Sequence, residues 1–221
     1  MREALLRLAA SSPGNDAFPF ALSLAEAAPA HGRGVALESV SRNELAVTPQ
    51  VMPGLFTPEE CARIVAACAR HPLHAGQVVQ ERENYRLARA AWIPAGDDMR
   101  WAYERIAVLV SRLNRWYRYD LFGFVEPLHF IRYEAGGKFD WHLDCGGERT
   151  CTRKLSVTVQ LTAPQEYEGG ALEFCPQGEL HRSRHHGAAT VFPSMLAHRV
   201  TPVSRGVRHA IVAWIHGPSF R

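Results

Sequence analysis

The sequence predicts a mainly β domain of the α+β kind, and three observations carry that prediction. Past residue 45 the helix signals fall between residues 57 and 117, strands dominate from Val125 to His216, and the clearest strand, Arg153 to Thr162, alternates almost without interruption. Along it Leu155, Val157, Val159 and Leu161 fall on one face and Ser156, Thr158 and Gln160 on the other. The apolar face suits a core. The polar face can look at water, or into a barrel whose interior holds a polar ligand.

Taken in order, residues 1–45 read as an N-terminal extension. Arg2 to Ala10 suits a short helix, Ser11-Ser12-Pro13-Gly14 breaks it, and Ala21 to Ala28 suits a second. A lid, a dimerisation arm or a loosely packed appendage are all open for it. Residues 46–221 form the main domain, and Leu45 to Met52 suggests its first strand. Thr57-Pro58-Glu59-Glu60 is a capping box with proline at the first helical position, starting a helix that runs to about Arg70. A strand follows near Tyr85 to Trp92. Asp97 or Asp98 is expected to cap a long helix reaching Tyr117, whose Ala102, Ile106, Leu109, Leu113 and Trp116 form a core stripe. Trp92, Trp101, Trp116 and Trp141 are assigned mostly to the core. Leu128 to Tyr133, the turn Glu134-Ala135-Gly136-Gly137, and Lys138 to Trp141 read as a hairpin. The strand holding His198, the turn Ser204-Arg205-Gly206, and the strand Val207 to Ile215 read as another.

Composition bounds the function. A chain of 221 residues with 47% apolar and 10% aromatic residues can build one generous domain. A net charge of +3 gives no case for nucleic acid. The densest basic stretch, His181-Arg182-Ser183-Arg184-His185-His186, reads as an exposed turn. No apolar run is long enough to span a membrane, and Met1-Arg2-Glu3-Ala4-Leu5-Leu6-Arg7 breaks any secretory pattern with charge. An odd number of cysteines, five, then points to the reducing cytoplasm. Cys145 and Cys151 lack the spacing of a structural zinc site.

The chemistry begins at His142-Leu143-Asp144. On a strand, residues i and i+2 point the same way, so an imidazole and a carboxylate converge. Alone this means little: 22 acidic residues and 11 histidines in 221 predict about one His-x-acid pattern by chance, and one occurs. With His198 as a second imidazole, however, the three side chains are the donor set of the facial triad of non-haem Fe(II) oxygenases. Arg208 lies ten residues after His198 and shares a strand face with Ala210, Val212 and Trp214. It either snorkels to solvent or points inward, where a buried cation demands an anion, and a dicarboxylate would supply one.

These residues together resemble the Fe(II)/2-oxoglutarate dioxygenases, in particular the prolyl 4-hydroxylase-like group and its bacterial PKHD-type members. The resemblance runs from about Val125 to Trp214. It is carried by Tyr133-x-x-Gly136-x-x-Phe139-x-x-His142-x-Asp144, by Arg153-Lys154-Leu155-Ser156, by Leu161-Thr162-Ala163-Pro164 through Gly169-Gly170-Ala171-Leu172, and by His198-Arg199-Val200-Thr201-Pro202-Val203-x-x-Gly206-x-Arg208. It implies a double-stranded β-helix (jelly roll) with helices packed outside one sheet. It implies Fe(2+) held by His142, Asp144 and His198, with 2-oxoglutarate and O2 as co-substrates and ascorbate as a candidate reductant. Arg208 would pair with the distal carboxylate of 2-oxoglutarate, Tyr133 would stand beside it, and Ser156 would line the same pocket. Gln160 departs from the apolar residue common at its position, and so reshapes the pocket or adds a hydrogen bond.

The implied reaction is hydroxylation of a C–H bond in a prolyl or other amino-acid side chain, with release of succinate and CO2. The substrate would be a peptide, a protein or an amino-acid-like molecule. A free amino acid or small natural product remains an alternative, as does a catalytically silent module that binds 2-oxoglutarate. A cupin-like enzyme without 2-oxoglutarate is disfavoured by Arg208, and halogenation by the carboxylate of Asp144, since the related halogenases lack it. Cys145, beside a metal ligand, is a candidate for oxidation in failed turnovers. Substrate identity and oligomeric state are not legible.

Overall fold

The structure is a computed structural model that describes residues 43–75, 85–147 and 150–219. The two helices expected before residue 43 lie outside the described residues, and so does most of the expected extension.

The capping box forms as its residue types demand. Thr57 Oγ1 accepts from the Glu60 backbone N–H at 3.2 Å, and the Glu60 carboxylate accepts from the Thr57 N–H at 2.9 Å. Helix α1 (Pro58–Cys68) follows. Glu60 also pairs with Arg105 at 2.5 Å, tying α1 to helix α2 (Arg100–Tyr117). The expected aspartate cap of α2 does not form. Met99 is the N-cap residue and makes no side-chain cap bond, because the Asp98 carboxylate takes Arg70 and its carbonyl takes the Trp101 indole N–H. The core stripe of α2 holds for Ala102, Ile106 and Leu109, but Trp116 is 54% exposed. Trp92 and Trp141 are exposed too, so of the tryptophans assigned to the core only Trp101 packs against it, and partly. The first expected strand begins late. Glu44–Val47 is a 3-10 turn, and strand β1 is Gln50–Met52.

The remaining strands are β2 (His74–Ala75), β3 (Arg86–Leu87), β4 (Arg89–Ile93), β5 (Gly123–Phe124), β6 (Leu128–Tyr133), β7 (Lys138–His142), β8 (Arg153–Gln160), β9 (Tyr167–Gly169), β10 (Leu172–Phe174), β11 (Gly178–Glu179), β12 (Ala189–Pro193), β13 (His198–Val200), β14 (Val203–Gly206) and β15 (Arg208–His216). A major sheet runs β1-β12-β8-β15-β6-β4-β2, with β5 also on β15; a minor sheet runs β11-β10-β13-β7-β3; and β14 pairs β9. Every pairing is antiparallel.

This topology is a double-stranded β-helix, and it overturns both expected hairpins. β6 and β7 follow one another in sequence but belong to opposite sheets, as do β13 and β15. The segment Glu134 to Gly137 is a crossing between sheets. Gly136 (φ +83°) makes the turn and donates to the Val203 carbonyl at 2.8 Å. His198 and Arg208 therefore reach the same space from facing sheets.

Alternation on β8 and β15 separates two cores. Leu155, Val157, Val159, Ile211, Ala213 and Ile215 pack outward against Ile64, Ile106 and Leu109 of the helices. Val212 and Trp214 face inward with Ile131, Phe174 and Phe192. Each fully buried aliphatic side chain contributes about 1.5–3 kcal/mol. The polar face of β8 consequently looks into the barrel. Ser156 and Gln160 are buried there. The basic stretch His181–Arg184 is a 3-10 turn, and it is anchored: Arg184 donates to the Gly169 carbonyl at 3.0 Å. No helix among the described residues is long and apolar enough to cross a membrane.

Candidate metal centre

His142 ends β7 and His198 begins β13, and the two are cross-strand partners. Their rings lie 4.1 Å apart between centroids. Asp144 stands two residues past His142 and just beyond the strand, where its N–H donates to the Ser194 carbonyl at 2.9 Å. Its own carbonyl accepts from Arg153 at 3.1 Å. The carboxylate is thereby turned inward. Its oxygens lie 3.8 Å from His142 Nε2 and 3.5 Å from His198 Nε2. One donor atom from each of the three residues lies within 4.8 Å of the others.

The hydrogen bonds fix which atoms face the centre. The Nδ1 of His142 meets the Asp140 carbonyl at 2.7 Å, and that of His198 meets the Leu196 carbonyl at 2.9 Å. A carbonyl can only accept, so both Nδ1 atoms carry a proton and, in the neutral ring, Nε2 keeps the lone pair. Burial, and then the neighbouring His198, push His142 down to about 4, so it is neutral at neutral pH. Burial alone would raise the Asp144 carboxyl. His198, His142 and the Ser156 hydroxyl outweigh it and hold the group below the usual carboxylate range. Phe139 stacks on His142 at 3.5 Å, and Phe192 packs edge-on against His198 at 4.7 Å.

Ser156 does not line the pocket as expected. Its hydroxyl donates to Asp144 Oδ2 at 2.7 Å and meets the Ser194 hydroxyl at 3.0 Å, fully buried behind the carboxylate. Burial, and then Asp144, push the Cys145 thiol up, which favours its protonated form.

At the other end of the same pocket Arg208 points inward and is 3% exposed. Gln160 Oε1 accepts from its Nε at 3.0 Å, and the amide of Gln160 is itself held by the Thr162 carbonyl at 2.9 Å. The Arg208 guanidinium lies 5.4 Å from the Tyr133 ring centre, and Tyr133 is its partner across β6 and β15. Gly170 (φ +59°) closes this end, since a Cβ there would stand 3.0 Å from Arg208 Cδ. Among the described residues the pocket gathers five of the six expected site residues, His142, Asp144, His198, Arg208 and Tyr133, and leaves out Ser156. It adds Arg86, His129, Thr158 and Trp214, none of them among the expected site residues. Strand parity carried the signal for three of them: His129 shares its face with Tyr133, Thr158 with Gln160, and Trp214 with Arg208.

Comparison with known proteins agrees with this arrangement. The pattern of the 2OG-Fe(II) oxygenase superfamily matches residues 128–216. A PKHD-type hydroxylase of Pseudomonas paraeruginosa is 30% identical over 176 residues, covering 74% of this chain and 76% of the relative. One from Thermosynechococcus vestitus is 34% identical over 144 residues, 63% of this chain but 58% of the relative's length. Among solved structures, a Pseudomonas putida prolyl-4-hydroxylase superposes with a TM-score of 0.64 at 23% identity, over 77% of this chain and 93% of that one. A Trichoplax adhaerens prolyl hydroxylase, in complex with a hypoxia inducible factor oxygen degradation domain peptide fragment, gives 0.64 at 19%, over 76% and 83%. At these identities the structural likeness is one of fold.

Proposed function

The chain belongs to the PKHD-type group of the 2OG-Fe(II) oxygenase superfamily, and from that premise we propose that it hydroxylates a C–H bond of a prolyl or other amino-acid side chain in a peptide or protein. Succinate and CO2 would be released from 2-oxoglutarate. The observation that carries this reading is the convergence, in one pocket, of three neutral-or-anionic donor atoms within 4.8 Å with a buried, inward-pointing guanidinium.

The donor set fits a divalent iron. Two imidazole Nε2 lone pairs and one carboxylate make a 2-His-1-carboxylate set, and the backbone carbonyls behind both rings hold them in the ligating tautomer. Bound there, iron would supply the activation of oxygen. The protein's share is orientation and exclusion of water. His142, Asp144 and His198 would hold the metal. Ser156, by donating to one carboxylate oxygen, would leave the other for it. Arg208, oriented by Gln160 and backed by Tyr133, would take the distal carboxylate of 2-oxoglutarate through charge-assisted hydrogen bonds. Phe139, Leu172 and Val212 line the space between, and limit water near the reacting atoms.

A peptidyl target is favoured by the Trichoplax relative of the same fold, which is complexed with a peptide. The five free cysteines suit a reducing compartment such as the cytoplasm. The test is succinate release from the purified chain with Fe(II), 2-oxoglutarate and proline-containing peptides, followed by mass spectrometry of the peptides. Iron-dependent succinate and a hydroxylated peptide are expected. No iron-dependent succinate under any of these conditions would overturn the reading.

A further inference from the structure

We propose that His129, together with Trp214, hydrogen-bonds an uncharged polar group of the primary substrate and so determines specificity; this rests on the hydroxylase reading of the site. The placement comes from register. His129, Ile131 and Tyr133 alternate onto the inner face of β6. Tyr133 pairs with Arg208, whereas His129 pairs with Val212, which in turn pairs with Thr158. Four residues of strand separate the two ends, roughly 13 Å. On β8 and β15 the next inward pair is Ser156 and Trp214, and Ser156 holds Asp144. His129 is thus at the metal end of the pocket and remote from the anion anchor.

Both side chains line the pocket, and both carry a ring nitrogen (His129 Nδ1 and Trp214 Nε1) that is buried and has no hydrogen-bond partner. Buried polar atoms are almost always partnered, so two such atoms side by side at a pocket wall indicate a ligand that completes them. The wall also has an approach from outside. Trp92 is 49% exposed and stacks on His129 at 4.4 Å, and His129 lies 5.6 Å from Trp214. Trp92 and Trp214 lie 5.8 Å apart, so the three rings form one cluster that reaches from the surface to the pocket wall.

The chemistry of the cluster selects the partner. Burial, then Arg86 and Arg153, push His129 down to about 3, so the imidazole is neutral. A neutral imidazole offers one donor and one acceptor, and an indole one donor. That set, itself uncharged, matches a peptide amide, with its carbonyl and N–H; Arg153, which stacks over Trp214 at 3.7 Å, is already paired with Glu126.

Calorimetry on the full chain loaded with Mn(II) and 2-oxoglutarate tests this with two probes, N-acetyl-L-prolinamide and L-proline. The capped amide is expected to bind in preference. His129→Phe, which keeps a ring beside Trp92, should weaken the amide about tenfold and leave 2-oxoglutarate affinity unchanged. His129→Gln should restore part of the loss. Equal amide affinity in the phenylalanine variant would overturn the proposal. So would an equal loss of 2-oxoglutarate affinity, tighter binding of L-proline, or binding of neither probe. Should the phenylalanine variant lack a cooperative melt, His129→Leu is read by the same criteria. Failure of the unaltered chain to bind Mn(II) and 2-oxoglutarate would instead sink the hydroxylase reading.

Discussion

The two ends of the pocket are built differently. At the metal end every ligating side chain is fixed from behind by its own hydrogen bond: His142 by the Asp140 carbonyl, His198 by the Leu196 carbonyl, Asp144 by Ser156. Most of these supports come from the minor sheet and its loops. At the co-substrate end one cation is held by one neutral amide, Gln160, and one aromatic face, Tyr133, both on the major sheet. The metal end is organised in advance for a small ion that tolerates little displacement. The Arg208 end keeps unspent donors for a ligand that brings its own charge. Damage at the first should therefore appear in iron binding, and damage at the second in the 2-oxoglutarate requirement.

The largest effect is expected at the metal end. Asp144→Ala should reduce succinate release to the iron-free background and abolish stoichiometric iron binding, both measured on the same sample. Full activity in that variant would remove the triad assignment. Arg208→Ala comes next. Loss of a charge-assisted pair to a buried carboxylate should raise the 2-oxoglutarate requirement about 100-fold with iron binding intact. Arg208→Lys should recover only part, since a point charge cannot reproduce the planar fork. An unchanged requirement would show that another cation, with Arg86 the other arginine lining the pocket, holds the carboxylate. Ser156→Ala is the sharpest test of the division. If Ser156 serves Asp144, iron affinity should fall roughly tenfold or more while the 2-oxoglutarate requirement stays put. The reverse pattern would return Ser156 to the co-substrate pocket, where the family resemblance had put it.

That misplacement shows what a sequence can and cannot carry. The shared faces of β8 and β15 were legible because alternation with period two assigns parity without knowledge of partners: Arg208 and Trp214 share one face as read, and the structure turns that face inward. Partners were not legible. Both expected hairpins failed because a jelly roll sends successive strands to opposite sheets, and a turn signal such as Gly136-Gly137 is the same for a hairpin and a crossing. Ser156 has the right parity, but its role depends on where the loop after His142 returns Asp144, and that is set by the Ser194 carbonyl and Arg153, distant in sequence. The aspartate cap of α2 failed for a similar reason. Asp98 is a competent cap residue whose carboxylate is engaged by Arg70 of another element. Trp116 kept helical phase with Ile106 and Leu109, yet it lies near the C-terminal end of α2 and stays exposed.

Two smaller effects probe how far the ends are independent. Gln160→Leu removes the acceptor at Arg208 Nε and should raise the 2-oxoglutarate requirement about fivefold, with no change at the metal. The last and smallest effect concerns stability. His209 lies beside Arg208 on β15 but faces outward, where its ring stacks on Phe130 at 5.5 Å. Burial, and then Arg132, push it down to about 4. An imidazole whose folded value lies below its unfolded one binds fewer protons folded than unfolded between the two, so protonation favours the unfolded chain and stability falls as pH drops. From an unfolded value near 6.5 the loss should run down to about pH 4. Thermal melting of the metal-free chain should show it, although His142, also held near 4, contributes over the same window. Metal loading separates them, because a ligated imidazole cannot take up the proton. The metal-loaded chain should keep a residual acid slope of a few degrees in Tm, and His209→Gln should reduce it, leaving the part due to His129, without altering iron affinity. A loaded chain whose slope is the same with and without His209 would place the acid sensitivity entirely at the metal end or at His129, and would remove the outer face of β15 from the comparison.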